Sequence, residues 1–356
     1  MLGAAAATAA LGHHRTSHPH EVALVELSHG GLASGAFTFG QLGGLVDRVK
    51  RRLLVEGCQP GCRVGIYGSA GAVAIATAVA AVQMRMSFVL FPLEDQPAPA
   101  ASPLAELFLL ARPYAIVTTQ QHLQSLHHKL IHGLRGVSLS ADAYADAWAE
   151  ADQGTKPNDL RVVVQLGVDF SFDAIAELKC DPDELCVVFT SGSTGPKKGV
   201  KCSRRGFANR LRWTADEFPW AADDVCLWSS PLPFVDSVCQ MLNLLATRAP
   251  VKTLAVADAR LVTRPSALAR LIDRYRVTRL VSTPSVLQHL LLLGWSSAPA
   301  PSLRVVVSSG EPLPMSLARA VASRLGRRCR VVSLYGSTET SADAAWCEVG
   351  APGARK

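Results

Sequence analysis

Several familiar signatures are missing from these 356 residues. The glycine and serine run that starts near Gly192 reaches a lysine where a Walker loop needs its second glycine, and no GxGxxG fingerprint precedes it. Neither of the two best-known nucleotide loops therefore accounts for it. The nine cysteines stand singly, with Cys58 and Cys62 as a close pair, which gives neither zinc-finger spacing nor a disulfide framework. Such cysteine usage suits a reducing compartment, and the expected location is cytoplasmic. No RNA-binding signature and no basic-aromatic alternation accompany the net charge of +7, so no nucleic-acid partner is expected. Residues 1–20 are Ala-rich with His13, His14, His18 and His20, lack the basic start and leucine-rich core of a leader, and read as a disordered tail. No internal repeat is evident.

What is present is apolar and alternating. A hydrophobic share of 49% over this length supports buried sheets and at least two subdomains. Residues 42–54 carry an amphipathic helical pattern; 115–119, 160–166 and 185–190 read as strands. A helix over 266–275, a strand over 277–282, a helix over 285–293, strands over 303–308 and 330–334 and a helix over 316–325 follow. The fold class is thus α/β, stacked sheets with helices between them. Residues 133–160 read as a loop-rich insertion. The apolar stretch 64–82 is about as long as a membrane helix, but Gly65, Gly68, Ser69 and Gly71 interrupt it early. It reads as a strand, a turn and a buried helix from about Ala72, and no membrane span is expected. Most of the positive charge lies in Arg204, Arg205, Arg210 and Arg212 and in Arg319, Arg324, Arg327, Arg328 and Arg330, two clusters that read as solvated helix faces.

Residues 187–200, VVFTSGSTGPKKGV, carry the strongest chemical signal. A β-branched strand runs into a loop in which Gly192 and Gly195 let backbone amides converge. Thr190, Ser191, Ser193 and Thr194 add hydroxyls, and Lys198 brings a point charge suited to polyphosphate. An ordinary Ser/Gly surface turn is the alternative reading of this stretch alone. A second stretch, 333–339 (SLYGSTE), offers the aromatic face of Tyr335, the hydroxyl of Thr338 and the carboxylate of Glu339, a hard oxygen ligand of the kind that joins substrate phosphates around magnesium.

The first stretch resembles the TSGSTGxPKG loop of the adenylate-forming superfamily, with Lys197 where that family has proline. The second resembles its NxYGxTE motif, with Ser333 in place of asparagine. Ser308 to Pro312 (SSGEP) resembles the GGE-type loop, residues 37–42 (FTFGQL) the LTYxEL element, and residues 87–95 (SFVLFPLED) the AYVPLDP segment. The resemblance spans nearly the whole chain from about residue 21. It implies the family's N-terminal domain, 21–356, in subdomains of roughly 21–180 and 181–356. The YRTGD-like string and the C-terminal domain with the catalytic lysine are not found in it, so the domain is expected to be incomplete at its C-terminal side and, by itself, inactive or weakly active as an adenylate-forming ligase.

By that resemblance Thr190, Ser191, Gly192, Ser193, Thr194, Gly195 and Lys198, with Gly310, Glu311, Tyr335, Gly336, Ser337 and Thr338, bind the nucleotide. Lys198, Thr338 and Glu339 serve catalysis, and Glu339 holds Mg2+. A narrower likeness, in 209–213 (NRLRW), Phe218-Pro219, 233–237 (PFVDS) and 309–313 (SGEPL), is to the β-alanine-activating branch of Ebony-type and aminoadipate-semialdehyde-dehydrogenase-like enzymes. There an aspartate pairs with the substrate ammonium, because an ammonium buried without a partner costs several kcal/mol. Asp236 is the candidate, one residue later than the peptide-synthetase pattern, and a helix cap ahead of Ser237 is its alternative reading. The implied reaction is attack of a carboxylate on the α-phosphate of ATP, then transfer of the acyl group to a phosphopantetheine thiol of a carrier-protein domain or to CoA. Alternatives are a fatty-acyl or other acyl-CoA synthetase and a non-catalytic binding fragment.

Overall fold

The computed structural model describes residues 4–28, 31–93, 103–119, 122, 125–126, 160–164, 179–190, 198–245, 247–256, 259–295 and 302–349. Its strands are β1 (Val22–Leu27), β2 (Ala33–Thr38), β3 (Arg63–Tyr67), β4 (Ser87–Phe91), β5 (Ala115–Thr119), β6 (Leu160–Val164) and β7 (Glu184–Thr190), followed by β8 (Lys198–Ser203), β9 (Val225–Trp228), β10 (Lys252–Val256), β11 (Arg279–Ser282), β12 (Val305–Ser308), β13 (Arg330–Ser337) and β14 (Ala342–Val349). The helices are α1 (Ala4–Ser17), α2 (Phe39–Val55), α3 (Ala72–Gln83), α4 (Pro103–Ala111), α5 (Arg204–Glu217), α6 (Val235–Leu242), α7 (Ala259–Val262), α8 (Pro265–Arg274), α9 (Pro284–His289) and α10 (Met315–Leu325).

The strands form an eight-stranded sheet, β14-β13-β12-β11-β9-β10-β1-β2, and a six-stranded sheet, β6-β5-β3-β4-β7-β8. Both are parallel inside and end on antiparallel strands: β2 and β14 in the larger, β6 and β8 in the smaller. Interior strands such as SFVLF of β4 are buried at every position, as strands covered on both faces must be. Helix α3 (AVAIATAVAAVQ) is apolar on all sides. Its residues share one core with Val64 and Leu90 of the smaller sheet and Leu24, Trp228 and Ala255 of the larger, so it is sandwiched between the sheets. The stretch 64–82 is thereby a strand, a turn and a buried helix, and among the described residues no helix is long and apolar enough to cross a membrane.

Helix α2 starts on a capping box: the Thr38 hydroxyl accepts from the Gln41 amide at 3.2 Å and the Gln41 side chain accepts from the Thr38 amide at 2.9 Å. The FTFGQL element is thus a helix start.

Three expectations are corrected. Residues 4–17, read as part of a disordered tail, form α1: alanines favour helix, and Leu11 and His14, one turn apart, are both buried. The His14 ring stacks on Phe39 at 4.5 Å and its Nε2 lies 2.9 Å from the Thr247 carbonyl. The subdomains are not consecutive. The larger sheet combines β1 and β2 with β9 to β14, because β1 pairs in parallel with β10, Leu24 opposite Thr253. Alternation along the chain reveals neighbours in sequence, not pairing partners, so a boundary near 180 missed this return. The arginine clusters are not simply solvated: Arg204 donates to the Met86 carbonyl at 2.6 Å, Arg210 pairs with Asp343, and Arg330 bridges Glu217 at 2.6 Å and Glu348 at 2.7 Å. The insertion expected at 133–160 lies outside the described residues, apart from Leu160 at the start of β6.

Candidate active site

The carboxyl ends of β11, β12 and β13 lie side by side, with Ser282, Ser308 and Ser333 in register across them. In open parallel sheets this is the edge at which ligands bind. Four sequence segments reach it or the adjoining end of the smaller sheet.

The first is the hairpin of β7 and β8. Thr190 and Lys198 face each other at its end. Ser191, Gly192, Ser193, Thr194, Gly195 and Lys197 lie outside the described residues. Lys198 is exposed at the start of β8.

The second segment is the end of β13 and the turn after it. Tyr335 is 77% exposed, an open aromatic face. The ladder with β14 slips between Tyr335 and Gly336, and a Cβ on Gly336 would stand 1.9 Å from the Ala342 carbonyl oxygen, so this bulge admits glycine alone. The chain then turns through a short 3-10 helix, Thr338–Thr340, in which Thr340 Oγ1 accepts from the Ser337 amide at 3.1 Å. Two contacts tie this turn to the smaller sheet: Cys202 Sγ to the Thr338 carbonyl at 3.5 Å, and the Ser203 amide to Ser341 Oγ at 3.1 Å. They bring Glu339 within electrostatic reach of Lys198. The backbone amide of Glu339, the Ser337 hydroxyl and the Lys198 charge together hold its carboxyl below the usual range, ionised and facing solvent. An exposed carboxylate beside a lysine suits a hard cation that completes its shell with phosphate oxygens. Among the described residues no cluster of three His, Cys, Asp or Glu could hold a metal by itself.

The third segment is the end of β12. Gly310 adopts φ +86°, the left-handed region. The Glu311 carboxylate accepts from the Ser285 amide at 3.1 Å and hydroxyl at 2.5 Å, bracing the start of α9 rather than standing free. Next to Gly310, Ser309 is buried and its hydroxyl reaches the carboxylate of Asp236.

The fourth segment is the first turn of α6. Its N-cap is Phe234, with no side-chain cap bond, so Asp236 lies inside the helix and does not cap it. The helix is fixed against β9: Trp228 Nε1 donates to Ser237 Oγ at 2.8 Å, and the Ser229 and Ser230 amides both donate to Gln240 Oε1 at 3.1 Å. Burial first, then the nearby negative charge of Asp343, raise the Asp236 carboxyl to about 6, against smaller opposing effects of the Ser309 hydroxyl and Arg210. Arg210 on α5 is 8% exposed and donates to Asp343, whose side chain is 6% exposed. The guanidinium also rests 4.7 Å from the centroid of Trp213.

Sequence reasoning missed Asp343 and the burial of Arg210. Asp343 lies four residues past Glu339 in no motif, and Arg210, inside the NRLRW string, reads there as one of several surface arginines. Glu339, with Thr338 beside it in the chain, lies within electrostatic reach of Lys198, and Asp236 reaches the end of β12 through Ser309.

A family model described as AMP-binding enzyme matches residues 11–356. The chain belongs to that family. It is 35% identical over 173 residues to the beta-alanyl-bioamine nonribosomal peptide synthetase ebony of Drosophila melanogaster, covering 46% of this chain and 19% of that protein. It is 29% identical over 323 residues to the L-proline--[L-prolyl-carrier protein] ligase of Streptomyces coelicolor, covering 87% of this chain and 56% of that ligase. The chain thus spans about half or less of the length of these relatives. In fold it is similar to the Vibrio cholerae adenylation domain AlmE, solved with glycyl-adenosine-5'-phosphate, with TM-score 0.71 and 18% identity over 99% of this chain and 62% of that one. The nonribosomal peptide synthetase FmoA3, solved with α-methyl-L-serine-AMP, superposes with TM-score 0.72 at 23% identity, over 97% of this AMP-binding chain and 34% of the synthetase. The fold is that of the adenylate-forming enzymes.

Proposed function

We propose that this chain binds ATP and a small amino acid and belongs to a protein that activates the amino acid as an acyl-adenylate, with β-alanine the preferred substrate. The observation that carries the reading is the combination of an exposed lysine and carboxylate, Lys198 and Glu339, with a recessed carboxylate, Asp236, fixed by α6 and Ser309. A tunnel for a fatty acid has no use for a recessed carboxylate. The likeness to ebony over 46% of the chain supports the choice of β-alanine.

In this reading Tyr335 lies against the purine, Gly310 allows close approach of the nucleotide, and Thr190 with the 191–195 loop and Lys198 holds the β- and γ-phosphates. Thr338 donates its hydroxyl at the α-phosphate and Glu339 is the protein ligand of Mg2+. That ion, when bound, neutralises charge on the departing pyrophosphate. Asp236 anchors the substrate ammonium and so aims the carboxylate at the α-phosphate; the chain's contribution is positioning and charge neutralisation. A phosphopantetheine thiol of a carrier domain, or CoA, is the acceptor that fits the carrier-protein ligases among the relatives.

The test is ATP–pyrophosphate exchange by the full-length protein to which this chain belongs, with β-alanine, α-amino acids and fatty acids, and by its Asp236→Asn variant. The expected result is exchange led by β-alanine, with about 30-fold or greater loss in Asp236→Asn. Exchange led by a fatty acid, or retained in Asp236→Asn, overturns it.

A further inference from the structure

We propose that Arg210 sets how many positive charges the acyl pocket accepts, making it a specificity-determining residue that limits the substrate to a single ammonium group. The inference rests on the reading of Asp236 as the ammonium partner.

Three ionisable side chains interact at this end of the site. Asp236 lies on α6 and Asp343 on β14, while Arg210, on α5, contacts Asp343 and acts on Asp236 through its charge. Arg210 Nε donates to Asp343 and Nη1 to Thr214 Oγ1. With both carboxylates ionised, two negative charges and one positive leave a net −1. In a recessed site a surplus charge is strongly unfavourable until a ligand of opposite sign neutralises it. One ammonium brings the sum to zero. A neutral acyl group leaves −1 behind, and a diamine overshoots.

Space does not impose this limit. A cavity of about 50 Å3, whose lining includes Arg210, Trp213, Cys239, Gln240 and a second guanidinium, Arg279, already neutralised by Asp224 at 2.8 Å, adjoins the Arg210 guanidinium. A water occupies roughly 10–15 Å3 on this measure, so a second amine has room there. It would meet the guanidinium and its like charge. This gives a role to the Asn209–Trp213 segment, which phosphate and metal binding leave unused.

The test measures equilibrium binding of three sulfamoyl-adenosine analogues to the full chain at pH 7.5, carrying propionyl, β-alanyl or 3,6-diaminohexanoyl groups, the last with two amines far enough apart for both to stay protonated. The wild-type chain should bind the β-alanyl analogue about tenfold tighter than either other. Arg210→Gln, net −2, should favour the diamino analogue. Asp343→Asn, net zero, should bring the propionyl analogue level with the β-alanyl one although Asp236 is intact. The double variant Arg210→Gln/Asp343→Asn restores net −1 and should restore the β-alanyl preference. A purely structural role for Arg210 would weaken all three ligands in parallel without changing their order, and that result overturns the proposal. If Arg210→Gln does not fold, the other two variants decide: a β-alanyl preference kept in Asp343→Asn, or not regained in the double variant, refutes it. Equal binding of all three analogues by the wild-type chain refutes the ammonium reading and this inference with it; a wild-type preference that survives Asp343→Asn refutes the inference alone.

Discussion

The two halves of the candidate site are built on opposite principles. On the nucleotide side Tyr335, Lys198 and Glu339 are exposed, and their arrangement depends on backbone: a hairpin end, a glycine bulge and a short 3-10 turn held to β8. On the acyl side Arg210 and Asp343 are almost fully buried, and side-chain charge organises the pocket. The difference teaches where each half is sensitive. Charges in water are screened and individually weak, so the nucleotide side should yield mainly to backbone changes. Charges in a recess are unscreened, so the acyl side should respond steeply to any change in their sum.

The largest expected effect is Gly336→Ala. A methyl group 1.9 Å from a carbonyl oxygen forces the β13–β14 bulge apart, and urea denaturation should register a loss of about 3 kcal/mol or more. An unchanged midpoint would mean that the bulge is not the rigid element on the nucleotide side.

Next is pH. The Asp236 carboxyl titrates higher in the folded chain, at about 6, than in an unfolded one, where its ordinary value is 3.8. The folded chain therefore binds the extra proton between those values, and this group's contribution to stability is greatest at low pH and declines as pH rises from about 4 to 6. An ammonium ligand needs the ionised form, so affinity for the β-alanyl analogue should fall about tenfold per pH unit as pH drops below about 6, while the propionyl analogue shows no such fall. Calorimetry from pH 5 to 8 separates the two, and parallel curves would remove Asp236 from the acyl side.

Lys198→Ala should weaken MgATP about fivefold, the worth of one exposed charge. A loss of a hundredfold would mean that the nucleotide side is as desolvated as the acyl side, and the contrast would fail. The smallest effect is expected from Ser341→Ala, which removes the hydroxyl that accepts from the Ser203 amide where the two sheets meet. It should cost about 1 kcal/mol in denaturation and change MgATP affinity by no more than about threefold.

The same contrast explains what was legible in the sequence. Loops that hold phosphates by backbone need particular residues at consecutive positions, so residues 190–198 and 333–339 could be read as strings. Helices were legible where apolar spacing was regular, as in α2 and α8, and α1 was not, because its alanines carry no periodic pattern and its buried Leu11 and His14 gain meaning only from α2 and Thr247. The acyl side is assembled from residues 210, 236, 309 and 343, on two helices and the ends of two strands. No local pattern links Arg210 to Asp343; only the packing of α5 against β14 does. The return of β1 to β10 was hidden for the same reason.

The most direct test of the central claim, that a recessed carboxylate selects an ammonium beside an open nucleotide site, compares β-alanyl- and propionyl-sulfamoyl adenosine on the unmodified chain at pH 7.5. The two ligands share every nucleotide contact and differ by one ammonium. The β-alanyl analogue should bind about tenfold tighter or better. Equal affinities would contradict the account, leaving an adenylate-forming fold whose acyl side does not read charge.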